Sequence, residues 1–188
     1  MLNNLRDSLK PTLEKIGKIF ASTGLSPNVF TAIGLGFAFA SAIVYGINVE
    51  YSLIFGGIIL LISGFFDIVD GQVARFTKKI TKTGGFIDSI FDKIAEVAIF
   101  FGILIGNYAD PYLVIIAITL SLLVSYMRAK ADSMSIILQG VGIGERAERL
   151  LVIAIIGIIG FMEIALIIVI IIAAITLGQR IIAISKNR

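Results

Sequence analysis

The sequence predicts an all-α integral membrane protein: six transmembrane helices preceded by an N-terminal interfacial amphipathic helix. Three observations carry this. First, 57% of the 188 residues are hydrophobic and 15% charged, where a soluble domain holds about 45–50% and about 25%. Second, the apolar residues fall into stretches near the roughly 20 residues a bilayer requires, separated by turn and breaker signals. Third, all 16 Lys and Arg residues fall on one side of the resulting arrangement. The loops of the opposite side carry only Glu50, Asp110 and Glu163.

The elements follow in order. Residues 1–24 form the interfacial segment. There Leu2, Leu5, Leu9, Leu13, Ile16, Ile19 and Phe20 recur at helical spacing against Arg6, Lys10, Lys15 and Lys18, with Pro11 marking a bend or a new start. The stretch lacks the compact apolar core of a cleavable signal peptide. Residues 25–188 form the membrane domain. Ser26-Pro27 opens the first span, 28–48, as N-cap and first helical residue. A tight loop at Asn48–Tyr51 leads into the second span, 52–76. The third covers 84–106. Asp110-Pro111 breaks the chain and starts the fourth, to about residue 133. The glycine-containing stretch 134–145 reads as a loop, and the fifth and sixth spans cover 146–161 and 163–184. The positive-inside rule then sets both termini on the cytoplasmic side of the plasma membrane.

Composition also limits the chemistry. With no cysteine and no histidine, there is no disulfide framework, no thiolate nucleophile and no histidine-ligated zinc. A general base must be a carboxylate, Lys or Tyr. The net charge of +3 is small, and nothing in its distribution points to a nucleic-acid partner.

The chemistry concentrates between residues 67 and 92, DIVDGQVARFTKKITKTGGFIDSIFD. Asp67 and Asp70 are spaced i,i+3, and Asp88 and Asp92 i,i+4, so each pair shares one face of its helix. A short basic turn with Gly84 and Gly85 lets the helices run antiparallel with the four acids facing one another. Unpaired carboxylates there would repel and resist desolvation. A divalent cation, or two, removes both problems, and an oxygen-only ligand set selects Mg²⁺ or Mn²⁺. Gly71 permits close approach to the backbone, and Arg75, one turn later, can contact phosphate.

The full spacing, D-x2-D-G-x2-A-R-x8-G-x3-D-x3-D, falls on Asp67, Asp70, Gly71, Ala74, Arg75, Gly84, Asp88 and Asp92. It resembles the signature of the CDP-alcohol phosphotransferases at every position. That resemblance implies a metal-dependent enzyme that moves the phosphoryl-linked half of a CDP-lipid onto an alcohol and releases CMP, with two ions expected. It assigns Asp67, Asp70 and Asp88 to metal, and gives Asp92 both a metal contact and the role of proton acceptor. Asn28, Thr31, Gly71, Arg75 and Thr81 take positions that would line the CDP-lipid site. The segments Ser125–Asp132 and Gly144–Leu150 resemble those of phosphatidylinositol-phosphate synthases. They imply an inositol phosphate acceptor, bound by Arg128, Arg149 and Arg180.

The donor lipid fits either a diacylglycerol or an archaeol type. Glycerol phosphate or serine are alternative acceptors for the same chemistry. A cation transporter is a reading from another class, since intramembrane acids also mark ion pathways; Gly71, Arg75 and the arginine cluster weigh against it. The resemblance further implies a homodimer. Gly102 and Gly106 could serve close helix packing either across such an interface or within one subunit.

Overall fold

The computed structural model describes the backbone of residues 2–138 and 140–185, and side chains from residue 11 onward within those bounds. The described residues form seven helices and no strands: α1 (Leu2–Ala21), α2 (Pro27–Ile47), α3 (Ser52–Phe76), α4 (Lys82–Ile105), α5 (Pro111–Ser133), α6 (Arg146–Ile158) and α7 (Met162–Ser185). The side-chain pattern expected for Leu2, Leu5, Arg6, Leu9 and Lys10 lies outside the described residues. Helix α1 runs through Pro11 without a break.

Local chemistry sets most helix ends. Ser26 takes the N-cap position of α2 with extended backbone, but its hydroxyl makes no capping bond; Pro27 at the first position suffices. Asp110 caps α5 by accepting from the Tyr112 N–H at 2.8 Å. Thr81 caps α4, its Oγ1 accepting from the Gly84 N–H at 3.0 Å. The α2–α3 connection turns on Asn48 and Tyr51, both at positive φ.

Four helices, α2, α3, α5 and α7, are long and apolar enough to cross a bilayer. Helix α4 has the length, with 24 residues, but carries Asp88, Asp92, Lys93 and Glu96. Helix α6 has 13 residues, about 20 Å of rise, which is less than the roughly 30 Å hydrocarbon core. Large apolar side chains stand exposed along these helices, among them Ile43, Phe55, Phe101, Ile115, Ile155 and Ile171.

Helix α2 packs on α3 and α4, α3 on α6, α5 on α7, and α6 on α7. The main core lies among Tyr45, Leu60, Ile99, Phe100, Ile103, Ala117, Ile153, Leu166 and Val169. Gly102 and Gly106 act inside the chain. A Cβ at Gly102 would strike the Ala42 backbone, and one at Gly106 the Tyr45 carbonyl and the Tyr108 ring. Of the two uses open to these glycines, the structure shows packing of α4 against α2. Two serines tie α2 to α3: Ser41 Oγ donates to the Gly56 carbonyl at 2.7 Å, and Ser63 Oγ to the Gly34 carbonyl at 2.8 Å. A second, smaller core forms where α1 lies across α2 and α3. There Phe20 meets Phe30 edge-on at 5.6 Å, with Val69 and Val73 fully buried beside them.

Candidate active site

The C-terminal part of α3 and the N-terminal part of α4 carry the acids. The motif turn between them is closed by Thr81 and by Gly84, where a Cβ would come 2.9 Å from Thr81 Oγ1 and 3.4 Å from Asn28 Oδ1. The turn therefore sits against the start of α2, and two helical carboxylate pairs become one site.

Asp67, Asp70 and Asp88 each offer a carboxylate oxygen, and these oxygens all lie within 4.8 Å of one another. Asp70 is 6% exposed. Its Oδ2 and the Asp88 Oδ1 are buried with no hydrogen-bond partner among the described residues. Orphaned buried anionic oxygens at this separation are costly unless a cation joins them. Three hard oxygen donors fit Mg²⁺ or Mn²⁺. Asp92 stands differently. Its Oδ1 pairs with Arg146 Nη1 at 2.6 Å, and the same Nη1 donates to Asp67 Oδ1 at 3.0 Å.

Two cavities flank the cluster, and Asp88 lines both. The first, about 120 Å³, is lined by Asn28, Thr31, Gly71 and Thr81 together with Asp70 and Asp88. Four of the five residues expected at a CDP-lipid site thus come together. The fifth, Arg75, is exposed and turns back along its own helix, its Nε donating to the Gly71 carbonyl at 3.0 Å. Thr81 spends its hydroxyl on the α4 cap.

The second cavity, about 320 Å³, is lined by Asp88, Asp92, Lys93, Arg128, Arg146, Arg149 and Arg180, among others. All three expected acceptor arginines reach it, in unequal condition. Arg128 is exposed and makes no hydrogen bond or ion pair with the described residues. Arg149 is 0% exposed: its Nε and Nη2 donate to Glu96 Oε1 at 3.0 and 2.6 Å, and its Nη1 donates to the Gly144 carbonyl at 2.7 Å. Arg180 is buried and ties down two backbone segments, donating to the Val141 carbonyl at 3.0 Å and the Val124 carbonyl at 2.6 Å. Arg149 and Arg180 thus fasten the chain ahead of α6 at Gly144 and Val141, while Arg128 remains a side chain with donors to offer.

Sequence reasoning missed Arg146 and Glu96 as members of the site. Glu96 had a visible signal, because Asp88, Asp92 and Glu96 continue one i,i+4 face of α4. Arg146 lies one turn before Arg149, but nothing local announces that its guanidinium reaches Asp67 and Asp92.

Comparison with known proteins identifies the family. The profile of the CDP-alcohol phosphatidyltransferase family matches residues 25–183. Archaetidylinositol phosphate synthase of Pyrococcus horikoshii is 35% identical over 181 residues, spanning 96% of this chain and 95% of that protein. Phosphatidylinositol phosphate synthase of Streptomyces avermitilis is 29% identical over 182 residues, spanning 87% of this chain and 74% of that protein. Among solved structures, the crystal structure of Mycobacterium tuberculosis phosphatidylinositol phosphate synthase with CDP-DAG bound matches with a TM-score of 0.76 at 26% identity, covering 91% of this chain and 92% of that one. The same mycobacterial enzyme in complex with manganese and citrate matches with a TM-score of 0.77 at 26% identity, covering 91% and 88%. The signature spacing, the carboxylate cluster between two cavities, and a profile match running from the start of α2 almost to the end of α7 have one meaning: this chain belongs to the CDP-alcohol phosphatidyltransferase family.

Proposed function

We propose that the chain transfers the phosphatidyl-type group of a CDP-linked lipid to inositol phosphate, releasing CMP. The observation that carries this is the pair of cavities meeting at Asp88, one bordered by Asn28, Thr31 and Thr81 and the other rich in arginine. The relatives named for inositol phosphate products support the acceptor.

Asp67, Asp70, Asp88 and Asp92 would hold Mg²⁺ or Mn²⁺, as a pair of ions. Such ions supply charge neutralisation on the pyrophosphate and in-line positioning. The chain's own groups do the rest. Asn28, Thr31, Gly71, Arg75 and Thr81 seat the CDP-lipid. Asp92 accepts the proton of the attacking inositol hydroxyl. The new phosphorus–oxygen bond forms as the pyrophosphate bond breaks and CMP departs with its electron pair. Arg128, Arg149 and Arg180 face the acceptor's phosphate, with Arg128 supplying the freest donors. Diacylglycerol and archaeol donors fit equally.

The same reading carries the membrane arrangement. Residues 1–24 lie along the interface and residues 25–188 form the catalytic domain. Helices α4 and α6 complete the six spans, the short α6 being accommodated by local thinning of the bilayer, and the buried Glu96 and Arg149 face the bundle interior. The carboxylate site opens to the cytoplasm at the plasma membrane, and two copies associate as a homodimer. An acceptor panel tests the function. Purified protein with a CDP-lipid and Mg²⁺ should release CMP with inositol phosphate well above the rate with free inositol, serine or glycerol phosphate. Faster turnover of glycerol phosphate or serine would overturn the acceptor assignment.

A further inference from the structure

Arg146 occupies a position that neither the carboxylate cluster nor the acceptor cavity explains alone. It is the first residue of α6, where a cation opposes the helix macrodipole. Its helix end is already served by Glu148, whose carboxylate accepts from the Glu145 N–H at 2.8 Å. What places the guanidinium is the pair of acids: Nη1 stands 3.0 Å from Asp67 Oδ1 and 2.6 Å from Asp92 Oδ1. The side chain is 16% exposed and lines both the acceptor cavity and the small pocket containing Asp67, Asp70 and Asp92. Its Nε is buried without a partner among the described residues. One end of the group is thus spent on two metal-site carboxylates, and the other keeps a desolvated donor unused.

We infer that Arg146 is a shared guanidinium coupling the carboxylate cluster to the acceptor cavity: it weakens the cluster's hold on a divalent cation and supplies hydrogen-bond donors to the acceptor's phosphate. The acceptor half rests on the function proposed above; the metal half does not. The physical basis is Coulombic. A fixed positive charge against Asp67 lowers the negative potential that a cation would meet there. Planar donors directed at an anion discriminate in a way that a point charge cannot. A merely structural salt bridge fastening α6 to α3 and α4 would behave differently, because its loss would loosen the cluster and reduce metal and acceptor binding together.

The two roles give opposite signs in one variant. Full-length protein in detergent is titrated with Mn²⁺ and free ion is read by electron paramagnetic resonance, while the acceptor KM is read from CMP release. Arg146→Gln should bind Mn²⁺ at least about tenfold more tightly and raise the KM for inositol phosphate by about tenfold or more. Arg146→Lys keeps the charge and loses the fork, so its Mn²⁺ affinity should stay near wild type while the acceptor KM still rises. Weaker or unchanged Mn²⁺ binding in Arg146→Gln overturns the inference. Should that variant fail to fold, Arg146→Lys decides: losing metal and acceptor affinity in parallel would mark the residue as a strut. If wild type does not use inositol phosphate at all, the proposed function falls, and the Mn²⁺ titration still judges the coupling.

Discussion

Arg128 and Arg149 line the same cavity, yet their replacement should fail in different ways. Arg149 is 0% exposed, and its partner Glu96 is also 0% exposed, with Oε2 lacking any partner among the described residues. Arg149→Ala removes both bonds to Glu96 Oε1, strands a buried carboxylate and frees the Gly144 carbonyl. Breaking one side of a buried pair costs on the order of 3–5 kcal/mol, a large share of the roughly 5–15 kcal/mol that holds a typical domain together. Arg128→Ala removes an exposed side chain with no partner among the described residues, so stability should move by no more than about 0.5 kcal/mol. Its cost should instead fall on the acceptor. One charge-assisted contact of about 1.5–3 kcal/mol is roughly 10-fold to 150-fold in acceptor kcat/KM, with the CDP-lipid KM little changed. Denaturant titration in detergent reads the first quantity and CMP release the second. Adding Glu96→Gln to Arg149→Ala should recover part of the lost stability, because a neutral amide tolerates burial better than an unpaired carboxylate. If Arg149→Ala is as stable as Arg128→Ala, the buried pair is not structural, and the division of labour between the two arginines is wrong.

Chelation should abolish activity, and Mg²⁺ or Mn²⁺ should restore it. Asp67→Asn and Asp88→Asn should each weaken Mn²⁺ binding as well as rate, and a variant that keeps wild-type affinity identifies a residue that is not a ligand. Gly102→Val should destabilise the protein by about 1–3 kcal/mol or more in the same denaturant titration, because α4 cannot withdraw from the Ala42 backbone without disturbing the core; an unchanged midpoint would refute the close α2–α4 approach. Cysteine labelling tests the sidedness, since the chain has no native thiols. Lys79→Cys should react only from the cytoplasmic face and Glu50→Cys only from the opposite one, and the reverse pattern would overturn the orientation.

The acids of the site were legible because their geometry is local. Asp67 with Asp70, and Asp88 with Asp92, are fixed by helical spacing, and the turn between the pairs is short enough to bring them together. What escaped was long-range. Arg146 meets Asp67 across 79 residues and Arg149 meets Glu96 across 53, and no periodicity reports a contact of that length. Span counting followed the apolar pattern faithfully for α2, α3, α5 and α7. It was less secure where function intrudes, because α4 gives up apolar positions to Asp88, Asp92, Lys93 and Glu96, and α6 is cut to 13 residues. Side-chain roles were also harder to read than positions. Thr81 lies where expected, but its hydroxyl caps α4; Arg75 lies one turn from Gly71, but bonds to that glycine's carbonyl.

The two serine bonds between α2 and α3 have a mechanical meaning. Gly34 and Ser41 are seven residues apart on one helix, and Gly56 and Ser63 are seven apart on the other. The rungs are reciprocal, each helix giving one hydroxyl and one carbonyl, and about 10 Å separates them along the axis. Such a pair works as a vernier. Sliding either helix by a single residue, about 1.5 Å, takes both rungs out of alignment at once, so the antiparallel register cannot drift by halves. Carried toward the site, that fixed register levels Thr31 and Asn28 of α2 with Asp67 and Asp70 of α3. A one-residue insertion in α2 between Ser41 and Ile47 would leave the register intact. The same insertion between Thr31 and Gly34 would rotate Asn28 and Thr31 by about 100° around the helix, carrying them away from the carboxylates while every serine bond stayed in place.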